Sequence, residues 1–182
     1  MRKLSGGVLL VAALGLSPIP VRAAAPEDPG TPCVFEVDID LSPGLSREPS
    51  SGSFESQGES GKIDCQGNVG GKPASGRGTF GAEGRYGLDG DGDDCRSKAG
   101  EGDGTGHFTV PVEGGTEHVD DPFTMTYQVN GRTVKGEITG RRFSGTFDVT
   151  KAQGDCLYKP VTRIRIKGKG VLRDETAATV PA

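Results

Sequence analysis

The residues best suited to chemistry are the carboxylates of Asp89-Gly90-Asp91-Gly92-Asp93-Asp94 and the only two histidines, His107 and His118. Carboxylates at alternate positions supply the oxygen ligands that a hard cation such as Ca²⁺ takes. Asp89, Asp91 and Asp93 match the first three ligands of an EF-hand loop. Asp94 replaces the glycine of that loop, however, and Gly100 its closing glutamate, leaving Glu101 one residue beyond. Two readings follow, a Ca²⁺ site at Asp89, Asp91 and Asp93 or a solvated acidic loop pinned by Cys95, and the loop is the expectation. His118 lies beside Glu117, Asp120 and Asp121, a grouping that could supply a general base, but in a polar loop plain surface is the expectation. His107 falls on the opposite parity to Phe108, Val110 and Val112, the polar side of its strand. No Gly-x-Ser-x-Gly elbow occurs, so no residue is assigned a catalytic role. Arg163, Arg165, Lys167 and Lys169 make a basic stripe opposite Ile164 and Ile166. Such a stripe either steers an anionic partner or forms a charged outer face that discourages edge pairing, and the structural reading is the expectation.

These residues need strands to position them. Cys33, Phe35, Val37, Ile39 and Leu41 alternate with Glu36, Asp38 and Asp40, the period-two signature of a half-buried strand. Similar segments are Lys62–Asn68, Gly78–Leu88, Gly106–Glu113, Pro122–Val129, Arg132–Thr139, Arg142–Thr150 and Val161–Leu172, which makes about eight strands. Asn130-Gly131 is a favoured hairpin turn. It predicts the pairs Tyr127–Val134, Met125–Gly136 and Phe123–Ile138. A second turn at Gly140-Arg141 predicts Ile138–Phe143, Gly136–Gly145 and Val134–Phe147. Residues 42–61 and 89–105, rich in Gly, Ser and acidic side chains, read as long surface loops. Small residues alternating with large ones favour tight coiling. The expected fold is therefore an all-β antiparallel up-and-down barrel of about eight strands, with a β-sandwich as the alternative. If the barrel closes, Glu36, Asp38 and Asp40 lie opposite the basic stripe and pair with it. Its interior, lined by Phe80, Tyr86, Phe123, Met125, Tyr127 and Phe147, is the candidate ligand-binding site.

Composition and cysteine usage bound the setting. Arg2 and Lys3 precede an 11-residue apolar run from Gly6 to Leu16, and Ala23-Ala24-Ala25 follows. That is the pattern of a secretory signal peptide over residues 1–25, and the run is too short to span a membrane. A single domain over 26–172 and a flexible tail over 173–182 complete the organisation. Beyond residue 25 there are 18 basic and 25 acidic residues, a balance that opposes nucleic-acid binding. The four cysteines, Cys33, Cys65, Cys95 and Cys156, are too widely spaced for a zinc ribbon or a redox pair. In an exported chain they read as two disulfides. Three connectivities are open, with Cys33–Cys65 and Cys95–Cys156 preferred. Leu, Ile, Val and Phe make up only 29 of the 157 residues after Ala25, while Gly numbers 31 in the whole chain. Such poverty in large apolar residues borders on the composition of disorder; strand parity and disulfides argue for a folded protein instead.

Gly61-Lys62-Ile63-Asp64-Cys65-Gln66-Gly67, Gly76-Arg77-Gly78-Thr79-Phe80-Gly81, Arg142-Phe143-Ser144-Gly145-Thr146-Phe147 and Gly154-Asp155-Cys156 together resemble a group of exported actinobacterial proteins of unknown function. In strand count the chain is similar to the allene oxide cyclase-like and calycin barrels. That resemblance implies a barrel shared by ligand carriers and cyclases alike, and it assigns no catalytic residue. The expected protein is secreted, or held in the cell envelope, and non-enzymatic. It binds a small apolar or amphiphilic molecule or an envelope component. The rivals are an isomerase or cyclase using Tyr86, Tyr127 or an inward carboxylate, and a solid-cored interaction or inhibitor module. No cofactor beyond the Ca²⁺ considered above is implied.

Overall fold

The computed structural model describes residues 30–96, 99–130, 133–156 and 158–174. The signal peptide expected over residues 1–25 lies outside them, as do residues 26–29 and 175–182. Among the described residues eleven strands form: β1 (Thr31–Leu45), β2 (Gly52–Ser56), β3 (Gly61–Cys65), β4 (Asn68–Val69), β5 (Lys72–Pro73), β6 (Arg77–Tyr86), β7 (Ala99–Val112), β8 (Gly115–Asn130), β9 (Thr133–Gly140), β10 (Phe143–Gln153) and β11 (Val161–Leu172). Strands β6 to β11 run as an antiparallel meander, and β11 returns to pair with β1. Both β2 and β3 bridge β1 to β6, one after the other. The ring thus has eight positions and is a closed barrel, whose closure leaves no long edge to be guarded.

The seam between β1 and β11 realises the expected charge pairing. Glu36 faces Lys167, Asp38 faces Arg165 and Asp40 faces Arg163. Arg165 makes a two-pronged contact with Asp38, both arms at 2.7 Å, and Lys167 lies 3.3 Å from Glu36. The Arg163 hydrogen bond holds the Asp40 carboxyl below its ordinary range, and Asp40 in turn raises Arg163. Arg163, Arg165 and Lys167 of the basic stripe are therefore one half of a cross-strand ladder on the outer face, while Lys169 faces Val34.

The two hairpin registers differ from the expected ones by two residues. Tyr127 pairs with Gly136, Met125 with Ile138 and Val129 with Val134. Across the next turn Phe147 pairs with Gly136, and Gly145 with Ile138. A shift of two preserves parity, so the same side chains face inward. The physical reason lies in the glycines. With the observed register Gly136 sits between Tyr127 and Phe147, and Gly168 between Phe147 and Phe35. A Cβ at Gly136 would overlap the Phe147 ring, and one at Gly168 the Phe35 ring. Each ring lies over a neighbouring glycine, and Gly136 and Gly145 are not side by side as expected. Asp121 fixes the second turn one residue later, because its carboxylate accepts the N–H groups of Arg142 and Phe143 at 2.9 Å and 2.7 Å.

Two segments read as loops prove partly stranded. Within 42–61, β1 continues to Leu45 and β2 carries Phe54 inward. Within 89–105, β7 begins at Ala99. Its Gly100, Gly102, Gly104 and Gly106 occupy the inner parity, where Tyr127, Met125, Phe54 with Phe123, and Phe108 respectively lie against them. Alternation is present there, but its buried partner is glycine instead of an apolar residue. At the C-terminus, Arg173 donates its N–H to the Arg142 carbonyl at 2.8 Å. The Asp174 carboxylate accepts from Gly70 and Gly71 at 2.7 Å and 3.1 Å, so the expected tail is tied down through Asp174.

Candidate functional site

The barrel interior is divided along its axis. At one end Phe35, Phe80, Phe108 and Phe143 pack ring against ring, with centroids 4.9 to 5.7 Å apart. The Cys33–Cys65 disulfide, Val110 and Leu172 are buried at this end. The other end is open. A cavity of about 610 Å³ is lined by the expected Phe80, Tyr86, Phe123, Met125, Tyr127 and Phe147, and by Phe35, Phe54, Val134, Val149, Ile164 and Ile166 besides. That volume is in the range of small-molecule sites. Its rim carries Leu45, Asp94, Gly154, Asp155, Val161 and the Cys95–Cys156 disulfide.

The acidic run is part of this end, but in an unexpected way. Residue 93 is bridged to Ser50 by reciprocal backbone hydrogen bonds of 3.0 Å, and the Cys95 N–H donates to the Ser46 carbonyl at 2.8 Å. These contacts fold the loop over the barrel mouth and turn the Asp93 side chain inward, to 1% exposure, while Asp89 and Asp91 remain exposed. Among the described residues no group of three or more His, Cys, Asp or Glu side chains gathers as metal ligands. Asp93 instead accepts a hydrogen bond from the Tyr127 hydroxyl. Burial pushes its carboxyl above the ordinary Asp range, against the lowering effect of that hydrogen bond, and the neighbouring charges of Asp89 and Asp94 add to the rise. Tyr127 is raised in turn, first by burial and then by Asp93. Tyr86 donates to the Pro43 carbonyl and is likewise raised by burial.

The histidines lie elsewhere, on the outer face of β7 and β8. His107 Nδ1 is 2.8 Å from Asp120, and His118 Nδ1 is 3.3 Å from the Thr109 hydroxyl. Asp121 is buried in its turn-capping role and Glu117 pairs with Lys72 at 2.9 Å. Of the grouping around His118, Glu117 and Asp121 are thus engaged elsewhere, while Asp120 shares a shallow outer depression with His118, His107 and Glu59.

Sequence reasoning missed Phe54, isolated in a Ser- and Gly-rich stretch, and the inward turn of Asp93. Parity on Gly52–Ser56 gives Phe54 away; nothing local distinguishes Asp93 from its neighbours. No known family, curated protein or solved structure matches the chain. The two disulfides suit an oxidising, extracellular environment. Among the described residues no helix is long and apolar enough to cross a membrane.

Proposed function

We propose that the protein is an exported β-barrel that binds a small apolar or amphiphilic molecule, free or as part of a cell-envelope component. The observation that carries this reading is the 610 Å³ cavity with its aromatic and branched aliphatic lining. A cavity of that size weighs against the solid-cored interaction or inhibitor module. The disulfides and the N-terminal pattern support export, and the acidic balance argues against a nucleic-acid partner.

The test is displacement of a neutral fluorescent hydrophobe from the full chain, alongside native mass spectrometry for a copurified molecule. Saturable binding that Val149→Phe abolishes is the expected result. Failure of every hydrophobe to bind overturns the reading. A second reading, an isomerase or cyclase, draws on the Asp93–Tyr127 pair, a buried carboxyl group beside a hydroxyl within an apolar cavity. A bound molecule recovered chemically unchanged after long incubation excludes it.

A further inference from the structure

The hollow end holds one group that a simple apolar pocket does not need. Asp93 is 1% exposed, yet the described residues that line the cavity include no Lys, Arg or His. Its Oδ2 accepts from Tyr127, but its Oδ1 has no hydrogen-bond partner. The nearby Gly87 N–H is directed to the Glu101 carbonyl at 3.0 Å. Buried polar atoms are normally satisfied, and an exception beside a cavity points to a ligand group that satisfies it. Resting on the reading of the barrel as a ligand-binding site, we propose that its ligand carries a protonated amine, which seats against Asp93 Oδ1 with the apolar body lying along Met125 and Phe147.

Three observations favour an ammonium over other polar heads. An ammonium has three donors and no acceptor, which suits an unpaired carboxylate oxygen and the Tyr127 oxygen beside it. The rim is acidic: Asp94 and Asp155 line it, and Arg96, paired with Asp94 at 3.3 Å, stands exposed outside. Such a mouth attracts cations and repels a carboxylate. Tyr86, Tyr127, Phe54 and Phe123 add aromatic faces that tolerate a cation. When the ammonium seats, it and the Asp93 carboxylate form a charge-balanced pair inside the barrel. A fatty acid finds no cation there.

The experiment compares decylamine, decanol and decanoate as competitors for the neutral fluorescent hydrophobe on the oxidised full chain. Decylamine is expected to displace it at concentrations at least about tenfold below those of decanol, with decanoate weakest, since a close buried charge pair discriminates at that level or more. Asp93→Asn should erase the amine advantage and keep decanol binding, whereas Tyr127→Phe should retain the preference. Equal or better binding of decanol, or a lead for decanoate, overturns the proposal and leaves the cavity a ligand site. Absence of binding by all three and by the probe overturns both. The rank order on the wild-type chain decides even where Asp93→Asn fails to fold.

Discussion

The two ends of the barrel share eight strand positions and differ in what fills them. At the packed end a void of about 10 Å³ lies between Phe80, Phe108, Asp121, Phe123, Ile138 and Phe143. At the open end the cavity is about 610 Å³. Four phenylalanines from β1, β6, β7 and β10 converge at the first, and edge-on or offset ring pairs contribute about 0.5–1.5 kcal/mol each beyond their buried area. Val129, Val134, Val149, Ile164 and Ile166 line the second, beside Phe54, Tyr86, Phe123, Tyr127 and Phe147. Each end also has a buried aspartate. Asp121 has both oxygens occupied by backbone N–H groups, whereas Asp93 has one oxygen unpaired. The packed end closes its polar accounts; the open end leaves one for a ligand.

Truncation should expose this difference most strongly. Phe143→Ala removes a ring at 2% exposure that touches Phe35 and Phe108, and should cost about 3–5 kcal/mol in urea unfolding. Phe147→Ala only enlarges an existing cavity and should cost about 2 kcal/mol, below the usual range for Phe→Ala. Equal costs would mean that the open end is as well packed as the other. Asp121→Ala comes next. It strands the Arg142 and Phe143 N–H groups, for about 2–3 kcal/mol, since buried donors lose a charged acceptor. Hydrogen exchange should localise the loss to the β9–β10 turn, and an unchanged exchange rate at Phe143 would contradict its capping role.

Adding volume inverts the comparison. Val110 is 1% exposed in the packed end, and Val110→Phe should cost about 2–3 kcal/mol by overpacking. Val149→Phe adds the same atoms to the open end and should stay within about 1 kcal/mol of wild type. The readout is the thermal midpoint, joined to loss of hydrophobe binding for Val149→Phe alone.

The packed end and the seam were the more legible parts of the barrel. Parity placed Phe35, Val37 and Ile39 inside and Glu36, Asp38 and Asp40 outside, and the same parity on β11 set the partners of the ladder. Register within the meander was legible only modulo two, because parity leaves the choice among even shifts to packing. There the seating of Phe147 and Phe35 over glycines decides it. β7 was half hidden for a related reason. Its inner positions at Gly100, Gly102 and Gly104 carry no hydrophobic signal, since the bulk that covers them comes from β8 and β2. All six expected cavity residues do line the cavity, whereas Asp93 resembled its exposed neighbours. Its burial is set by the bridge to Ser50 and by the Cys95–Cys156 disulfide, both long-range contacts with no local trace.

The smallest expected effect is the pH dependence that the two kinds of carboxylate impose. Asp93 has a folded-state pKa above its unfolded value, so between the two the folded protein holds the extra proton. Stability from this site then falls as pH rises above about 4, the unfolded Asp value. Asp89, Asp94, Tyr86 and Tyr127 are the titratable groups around it, and no cation among them offsets the charge. Asp40 works in the opposite sense. Its lowered pKa gives stability that is present above about 4 and lost as pH falls through the folded value. Glu59, held down by Thr79 and Thr109, and Glu117, held down by Lys72, act with Asp40. Urea midpoints measured across pH should therefore rise out of acid, pass a maximum on the acidic side of neutrality and decline. Asp93→Asn should flatten the decline and leave the acid limb alone, while Arg163→Gln should weaken the acid limb and leave the decline. A decline that persists undiminished in Asp93→Asn would show that burial does not raise the Asp93 carboxyl, and the contrast between the two ends would then rest on packing alone.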